Sequence, residues 1–448
     1  MSYISISKKD KEEMRAKIGV SCIDELFSSI PENVKRKKPL NLPHPLSELE
    51  LKRYFEEKAN NNQYSEYLSF LGGGAYNHFI PAVVDYLSQR GEFLTPYTPY
   101  QPEVSQGTLQ VIFEFQTLIC QLTGMDVANA SLYDGASGAA EAVLMAHRLK
   151  GKSKILVART LHPQYREVIK TYTKDLGLTI EEIGYLESGK LDFNDLRRKF
   201  DEETFAVICQ SPNFVGVVEE LETISKFAHD RQVLSLAVVA EPVSLGMIEP
   251  PGKFGVDIVA GEGQSFGIPL GFGGPYLGFM ACGRNFVRQF PGRIVGQTKD
   301  GEGNRGFVLT LCTREQHIRR GKATSNICTN QNLCALRATI FLETTGKKGL
   351  KELAFQNLQK SHYALEKFCK IKGIKRKFEG PFFNEFTLQF SKPWSEIDKS
   401  LRKKKMIGGL GLEILYPELK NCALFCITEM HRKEDIDKLA AGLEEATS

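Results

Sequence analysis

The chain has 448 residues, 42% of them apolar and 25% charged, with a net charge of +4 at neutral pH. That length accommodates two domains with sizeable cores, and the composition is that of a soluble globular protein. The charge is too weak to indicate nucleic acid or an anionic membrane, and the longest apolar runs fall far short of a bilayer span.

The first residues, "MSYISISKKDKEEMRAK", mix acids with bases and lack an apolar stretch, which argues against a signal or transit peptide. Ten cysteines are scattered between Cys22 and Cys426 with no C-x-x-C pair, and no histidine stands at metal-ligand spacing from one. Reduced thiols, a cytoplasmic location and no metal site are expected. The basic run Lys35-Arg36-Lys37-Lys38 reads as a solvated linker.

Residues 1–70 read as a helical arm. Ser47 and Glu50 are spaced as a capping box in front of "LELKRYFEEKA", while the preceding "KPLNLPHPLSE" is too proline-rich for helix or central strand. The arm has too few apolar positions for a core of its own. From about residue 105 the texture changes. "SQGTLQVIFEFQTLICQLTG" places Leu109, Ile112, Phe115, Ile119 and Leu122 on one helical face and stops at Gly124.

Strands are then predicted at "KILVA" (154–158), "FAVICQ" (205–210), "VLSLAVVA" (233–240), "VDIVAG" (256–261) and "YLGFMAC" (276–282). Amphipathic helices such as "PQYREVIKTYTKDLG" and "ELETISKFAHDR" lie between them. Strand–helix alternation of this length means an α/β sheet with crossover helices. After a long helix beginning near "NQNLCALRATIFLETTG", the strands "FNEFTLQF", "GLEILYP" and "CALFCITE" predict a smaller α/β domain. The expected division is an arm over 1–70, a large domain over 71–330 and a small domain over 331–448.

Three places at predicted strand ends are candidates for chemistry. In the first, Asp134-Gly135-Ala136-Ser137-Gly138 opens a helix; free N–H groups and a serine hydroxyl suit a phosphate, and glycines equally suit a tight turn. In the second, Glu241 follows the strand "VLSLAVVA", either as partner to a pyridine nitrogen or as a solvated loop acid. In the third, the glycine-rich loop opens with Glu262-Gly263-Gln264-Ser265, where such a layout often holds a cofactor-anchoring lysine. An amide forms no Schiff base, and the nearest lysines, Lys253 and Lys299, are not at the strand–loop junction.

Two further loops are dense in glycine, proline and tyrosine. "FLGGGAYNHFIPAVV" carries Gly72, Gly73, Gly74, Tyr76, Asn77 and His78; "LTPYTPYQPEVSQG" carries Tyr97, Tyr100, Gln101, Glu103 and Gln106. Prolines stiffen the second, and both read either as a binding surface or as structural turns. His78 taken alone reads as a hydrogen-bonded histidine without a special role.

The stretches "TPYTPYQPEVSQGTLQVIFEFQT", "LTGMDVANASLYDGASGAAEA", "GQSFGIPLGFGGP" and "TREQHIRRGKATSNICTNQ" carry a resemblance covering nearly the whole chain. The sequence resembles the glycine-cleavage P-protein family, the decarboxylating glycine dehydrogenases. It is most similar to the N-terminal half-type subunit of the two-chain form. The resemblance implies a fold-type I pyridoxal-phosphate-like large domain, a smaller C-terminal α/β domain and a helical N-terminal segment. In the half that works, a histidine–lysine pair precedes the glycine-rich loop. Here Gly263-Gln264 stand in that place, so no catalytic residue is expected on this chain.

Ser137, Glu241 and Gln264 are then a vestigial cofactor site, and pyridoxal phosphate is expected on a partner subunit in a two-plus-two heterotetramer. The resemblance further implies decarboxylation of glycine and transfer of the aminomethyl group to the lipoyl arm of the H-protein. It places the active site between the two halves. Gly73, Gly74, Tyr76, Asn77, Tyr97, Tyr100, Gln101, Gln106, Lys322, Ser325 and Asn326 are the expected interface residues. The competing expectation is a regulatory or scaffolding relative with no part in catalysis.

Overall fold

The computed structural model describes residues 5–271 and 273–448; Phe272, within the glycine-rich stretch quoted above, and residues 1–4 lie outside them. The chain divides into two compact units, one ending at Ser65 and one beginning at Glu66.

In the first unit, helix α1 (Lys8–Ile18) is capped by Ser7 and Asp10, and helix α2 (Glu48–Asn60) by Ser47 and Glu50. The Ser47 hydroxyl accepts from the Glu50 N–H and the Glu50 carboxylate accepts from the Ser47 N–H, as the spacing predicted. None of the described residues of this unit is buried.

The second unit starts with Leu68–Ser69 paired in parallel with Met406–Ile407. Helix α3 (Gln106–Thr123) ends on Gly124 at φ 70°, the left-handed conformation that glycine adopts without strain. Its sheet has seven strands: β1 (Val127–Ala128), β2 (Lys154–Ala158), β3 (Thr179–Ile183), β4 (Thr204–Gln210), β5 (Leu234–Val239), β6 (Ile258–Glu262) and β7 (Gly278–Cys282). The spatial order is β1-β7-β6-β5-β4-β2-β3, parallel except for β7 against β6 and β1.

Both faces of this sheet are covered, which is why its strands read as nearly continuous apolar runs. Leu156, Val207, Ala237 and Val259 face one core with Phe115, Ile119 and Phe227. Ile155, Ile208, Leu236 and Ile258 face the other, beneath helix α4 (Gly135–Lys150) and Ile169. Chain order reverses between β2 and β4, and in open α/β sheets ligands bind beyond the carboxyl ends of the strands at such a reversal. Gln210, Glu241, Glu262 and Gln264 all lie at that edge, at or just past the ends of β4, β5 and β6.

A hairpin of β8 (Ile294–Lys299) and β9 (Arg305–Thr310) packs on α3 through Leu109, Ile112, Val295 and Phe307. Helix α5 (Asn332–Phe368) is interrupted at Gly346, whose φ of 58° and ψ of −179° are not helical. Before the break Ala335, Ala338 and Phe341 join the large-sheet core; near its end Ala364, Leu365 and Phe368 join the C-terminal core.

The C-terminal sheet has order β10-β11-β13-β12, from β10 (Ile374–Arg376), β11 (Glu385–Phe390), β12 (Leu410–Gly411) and β13 (Cys422–Cys426). The predicted strand "GLEILYP" is a turn past Gly411. Tyr416 N–H donates to the Leu412 carbonyl at 2.8 Å, which buries Leu412 and Tyr416 and leaves Ile414 in solvent. Its apolar spacing serves that turn and not a pleat.

Candidate functional site

Residues 72–79 run along the carboxyl edge of the large sheet, with Tyr76 and His78 buried and Asn77 and Phe79 exposed. Each inward group has a specific partner. The Gln264 side chain accepts from the Tyr76 N–H at 2.8 Å and donates to the Tyr76 carbonyl at 3.0 Å and to that of Ile268 at 2.7 Å. Both of its N–H donors are thus used, and its oxygen is paired.

Glu241 is buried, not a solvated loop acid. It accepts from the Val243 N–H at 2.9 Å, the Ser265 hydroxyl at 3.2 Å and the His78 Nε2–H at 3.0 Å. The His78 Nδ1–H donates to Glu429 at 2.8 Å, and the other Glu429 oxygen accepts from the Phe79 N–H at 2.6 Å. Burial pushes the imidazole down, but the Glu241 charge and hydrogen bonds to both carboxylates overcome it and raise it to about 10. His78 is therefore an imidazolium at neutral pH, with both ring nitrogens donating.

Glu385, from β11, accepts from the Gly73 N–H at 2.6 Å and the Tyr76 hydroxyl at 2.9 Å; burial pushes it up to about 7. His162 Nε2–H donates to the Gly73 carbonyl at 2.8 Å, while its Nδ1 accepts from the Gln164 N–H. Burial holds His162 down to about 4, so it is neutral. Gly74 has φ 108°, and a Cβ there would lie 2.7 Å from the His162 ring.

The helix start at Asp134–Gly138 is closed by the chain itself. Asp134 accepts from the Ser137 N–H at 2.7 Å, and the Ser137 hydroxyl in turn serves the Asp134 backbone. Glu262 accepts from the Gly135 N–H at 2.9 Å, the Leu277 N–H at 2.8 Å and the Gln264 N–H at 3.1 Å. Burial pushes it up to about 7, and those three donors pull it back. A carboxylate thus takes the place at the α4 N-terminus that suits a phosphate. The Tyr165 hydroxyl packs so closely that a Cβ on Gly135 would lie 2.2 Å from it.

With that cup filled, Gln264 saturated and Glu241 bound to an internal cation, these residues do not fit pyridoxal phosphate.

The other predicted residues gather elsewhere. The buried Arg293 guanidinium donates to the Tyr100 hydroxyl at 3.2 Å, the Cys328 carbonyl at 2.6 Å and Asn330 at 3.4 Å, with Glu315 3.5 Å from its Nε. It lies 5.3 Å from the Tyr100 ring centroid, and His317 meets that ring edge-on. Two sequence-predicted segments more than two hundred residues apart therefore meet on one cation.

Gln106 pairs its amide with both backbone groups of Phe307, at 2.8 and 2.9 Å, and fixes the proline-rich loop to β9. Asn326 accepts from Gln316 at 3.1 Å, and Ser325 accepts from the Ile327 N–H at 3.0 Å. Tyr97, Gln101 and Lys322 point to solvent, Tyr97 at 79% exposure. Among the described residues no hydrogen bond or ion pair joins the loop 72–79 to this second group. Sequence reasoning missed Glu262, Glu385, Glu429 and Arg293. Three of these carried a local signal: Glu385 stands inside the predicted strand "FNEFTLQF", Glu429 ends "CALFCITE", and Glu262 directly follows "VDIVAG".

A family model described as glycine cleavage system P-protein matches residues 1–443. The chain is 52% identical over 446 residues to a "Probable glycine dehydrogenase (decarboxylating) subunit 1" from Desulfitobacterium hafniense, covering 99% of this chain and all of that protein. It is 53% identical over 444 residues to a protein of the same description from Solibacter usitatus, covering 99% and 97%. A crystal structure of glycine decarboxylase (P-protein) of the glycine cleavage system, in inhibitor-bound form, matches with TM-score 0.92 and 41% identity over the whole of both chains.

A Burkholderia pseudomallei sphingosine-1-phosphate lyase matches at TM-score 0.68 and 12% identity, over 93% and 94% of the two chains, a likeness of fold alone. The fold is the fold-type I pyridoxal-phosphate-like architecture expected from the sequence, with its smaller C-terminal domain and helical N-terminal segment. The chain belongs to the glycine cleavage system P-protein family.

Proposed function

We infer that this chain is the subunit without the cofactor lysine in a two-chain decarboxylating glycine dehydrogenase. One observation carries the reading: Gln264, at the lysine position, is fully engaged as a strut in a chain matching subunit 1 relatives end to end. The partner subunit holds the pyridoxal phosphate, which supplies the electron sink for loss of carbon dioxide from glycine. The aminomethyl group passes to the lipoyl arm of the H-protein.

This chain's contribution is a prearranged wall of the shared active site, built from Gly73, Gly74, Tyr76, Asn77, Tyr97, Tyr100, Gln101, Gln106, Lys322, Ser325 and Asn326. Support comes from the surface: Leu71, Phe79, Tyr86, Leu94, Tyr97, Tyr100 and Val104 are all exposed within one stretch. Aromatic and apolar side chains concentrated in this way mark a surface that a partner covers. The N-terminal unit adds Met14, Ile18, Ile23 and Phe27, exposed on helices that bury nothing.

The same proposal includes a large domain over 71–330 and a small one over 331–448, in keeping with their separate sheets. No described helix is long and apolar enough to cross a membrane. A cytoplasmic location agrees with ten free thiols. The test is co-expression with a lysine-bearing partner of the same family, then glycine decarboxylation by each chain alone and by the complex. Activity confined to the complex is expected; a complex that assembles without activity overturns the reading.

A further inference from the structure

Glu241 and Glu429 come from different sheets, one after β5 and one after β13; Glu241 is buried, and Glu429 is half-buried with its side chain 8% exposed. Two carboxylates brought this close with little access to water need a cation between them. The cation is His78, whose Nε2 and Nδ1 lie 3.0 and 2.8 Å from them.

The residues on either side of it are fixed by the same structure. The Asn77 carbonyl accepts from the Thr428 hydroxyl at 2.8 Å, and the Phe79 N–H donates to Glu429 at 2.6 Å. Tyr76 is held by Gln264 on the large-sheet side and by Glu385 on the C-terminal side. Burial alternates from Tyr76 to Phe79, so the outward side chains, Asn77 and Phe79, are aimed by what holds the inward ones.

We propose that His78 is a positioning residue for the shared active site. Its ring bridges Glu241 and Glu429, clasps residues 72–79 to both sheets and sets Asn77 and Phe79 against the partner subunit. This rests on the subunit reading above. The acid that would face a cofactor ring in a working site faces an imidazolium supplied by this chain. The former cofactor edge thus holds a wall for its neighbour. The bridge needs two N–H donors on one ring, a demand that distinguishes it from simple packing.

The experiment uses the assembled complex with its lysine-bearing partner. His78→Ala is expected to lower kcat per assembled complex by about 10- to 100-fold, the scale of a small misplacement of reacting groups. Assembly by size-exclusion and the absorbance of the partner's cofactor should not change. Imidazole added to His78→Ala should restore turnover, and 1-methylimidazole, whose cation has a single N–H, should not. Because His78→Ala strands the buried Glu241 and the half-buried Glu429 and its folding is at risk, Glu429→Gln is made in parallel. It keeps an acceptor for the ring, and a smaller loss in kcat is expected.

Wild-type kcat in assembled His78→Ala overturns the proposal. So does equal rescue by both imidazoles, or wild-type kcat in Glu429→Gln where His78→Ala fails to assemble. An inactive wild-type complex refutes the subunit reading instead, so the two failures are distinguishable.

Discussion

Gln264 and Tyr76 are joined by a pair of hydrogen bonds, 2.8 and 3.0 Å long, between a side-chain amide and both main-chain groups of one residue. An ammonium at position 264 donates but does not accept, so Gln264→Lys leaves the Tyr76 N–H unmatched in a buried place. A loss of about 1–3 kcal/mol is expected, the cost of an unmade buried hydrogen bond, read from the denaturant midpoint. No cofactor chemistry should appear, because Glu262 still closes the start of α4. Borohydride reduction with pyridoxal phosphate and peptide mapping checks this; a phosphopyridoxyl adduct at position 264 would refute it.

Tyr97 and Tyr100 should separate on substitution. Tyr97 is exposed, so Tyr97→Phe leaves the stability of the isolated chain unchanged, and any loss of turnover in the complex reports a role across the interface. Tyr100→Phe removes one of the acceptors for Arg293, so both stability and turnover should fall. If either hydroxyl stabilises the transition state directly, turnover drops by about 100- to 1,000-fold. Decarboxylation per assembled complex, with thermal unfolding of the free chain, separates the cases.

The architecture of the large domain was legible in the sequence, because each piece is local. The spacing from Leu109 to Leu122 and the stop at Gly124 define α3, and the apolar runs at 154–158 and 205–210 mark strands buried on both faces. "GLEILYP" misled because buried Leu412 and Tyr416 pack from a turn. The clasp was not legible at all. His78 lies 163 residues from Glu241 and 351 from Glu429, and no periodicity connects such positions. Arg293 was hidden for the same reason; its partners Tyr100 and Asn330 lie 193 and 37 residues away.

Stability should fall with rising pH in two windows. Glu385 is raised from 4.5 to about 7 in the folded chain, so the native state holds the proton more tightly. Its contribution is most favourable below the unfolded value and declines as pH climbs to about 7. His78, raised from 6.5 to about 10, gives stability that is complete below 6.5 and lost as pH rises through 10. Urea unfolding of wild type and Glu385→Gln at about pH 4.5, 7 and 9 tests the first window. The variant should gain relative to wild type between the first two values and stay level between the last two. A difference independent of pH would contradict the assignment.

Gly74→Ala should be among the most damaging single-methyl changes in the chain. It combines φ 108° with a Cβ set 2.7 Å from His162, whose ring is itself bonded to the Gly73 carbonyl. Gly19→Ala, at φ 85° in open space, carries backbone strain alone. The expected costs are about 1 kcal/mol at Gly19 and 3 kcal/mol or more at Gly74. Differential scanning calorimetry of the two variants compares them, and equal melting points would show that the His162 contact yields freely.

Glu262 at the head of α4, Gln264 on Tyr76 and His78 on Glu241 together act as a triple lock against cofactor binding by this chain. Cofactor binding would require vacating the helix start, supplying an amine and freeing the acid, three substitutions along one hydrogen-bonded edge whose effects do not add. Each alone breaks a buried bond and yields no new activity, so every intermediate genotype is less stable than the present one. Proteins near their stability threshold seldom cross such a valley. A chain whose own pocket is closed in this way needs a cofactor-bearing neighbour, and no single substitution releases it from that need.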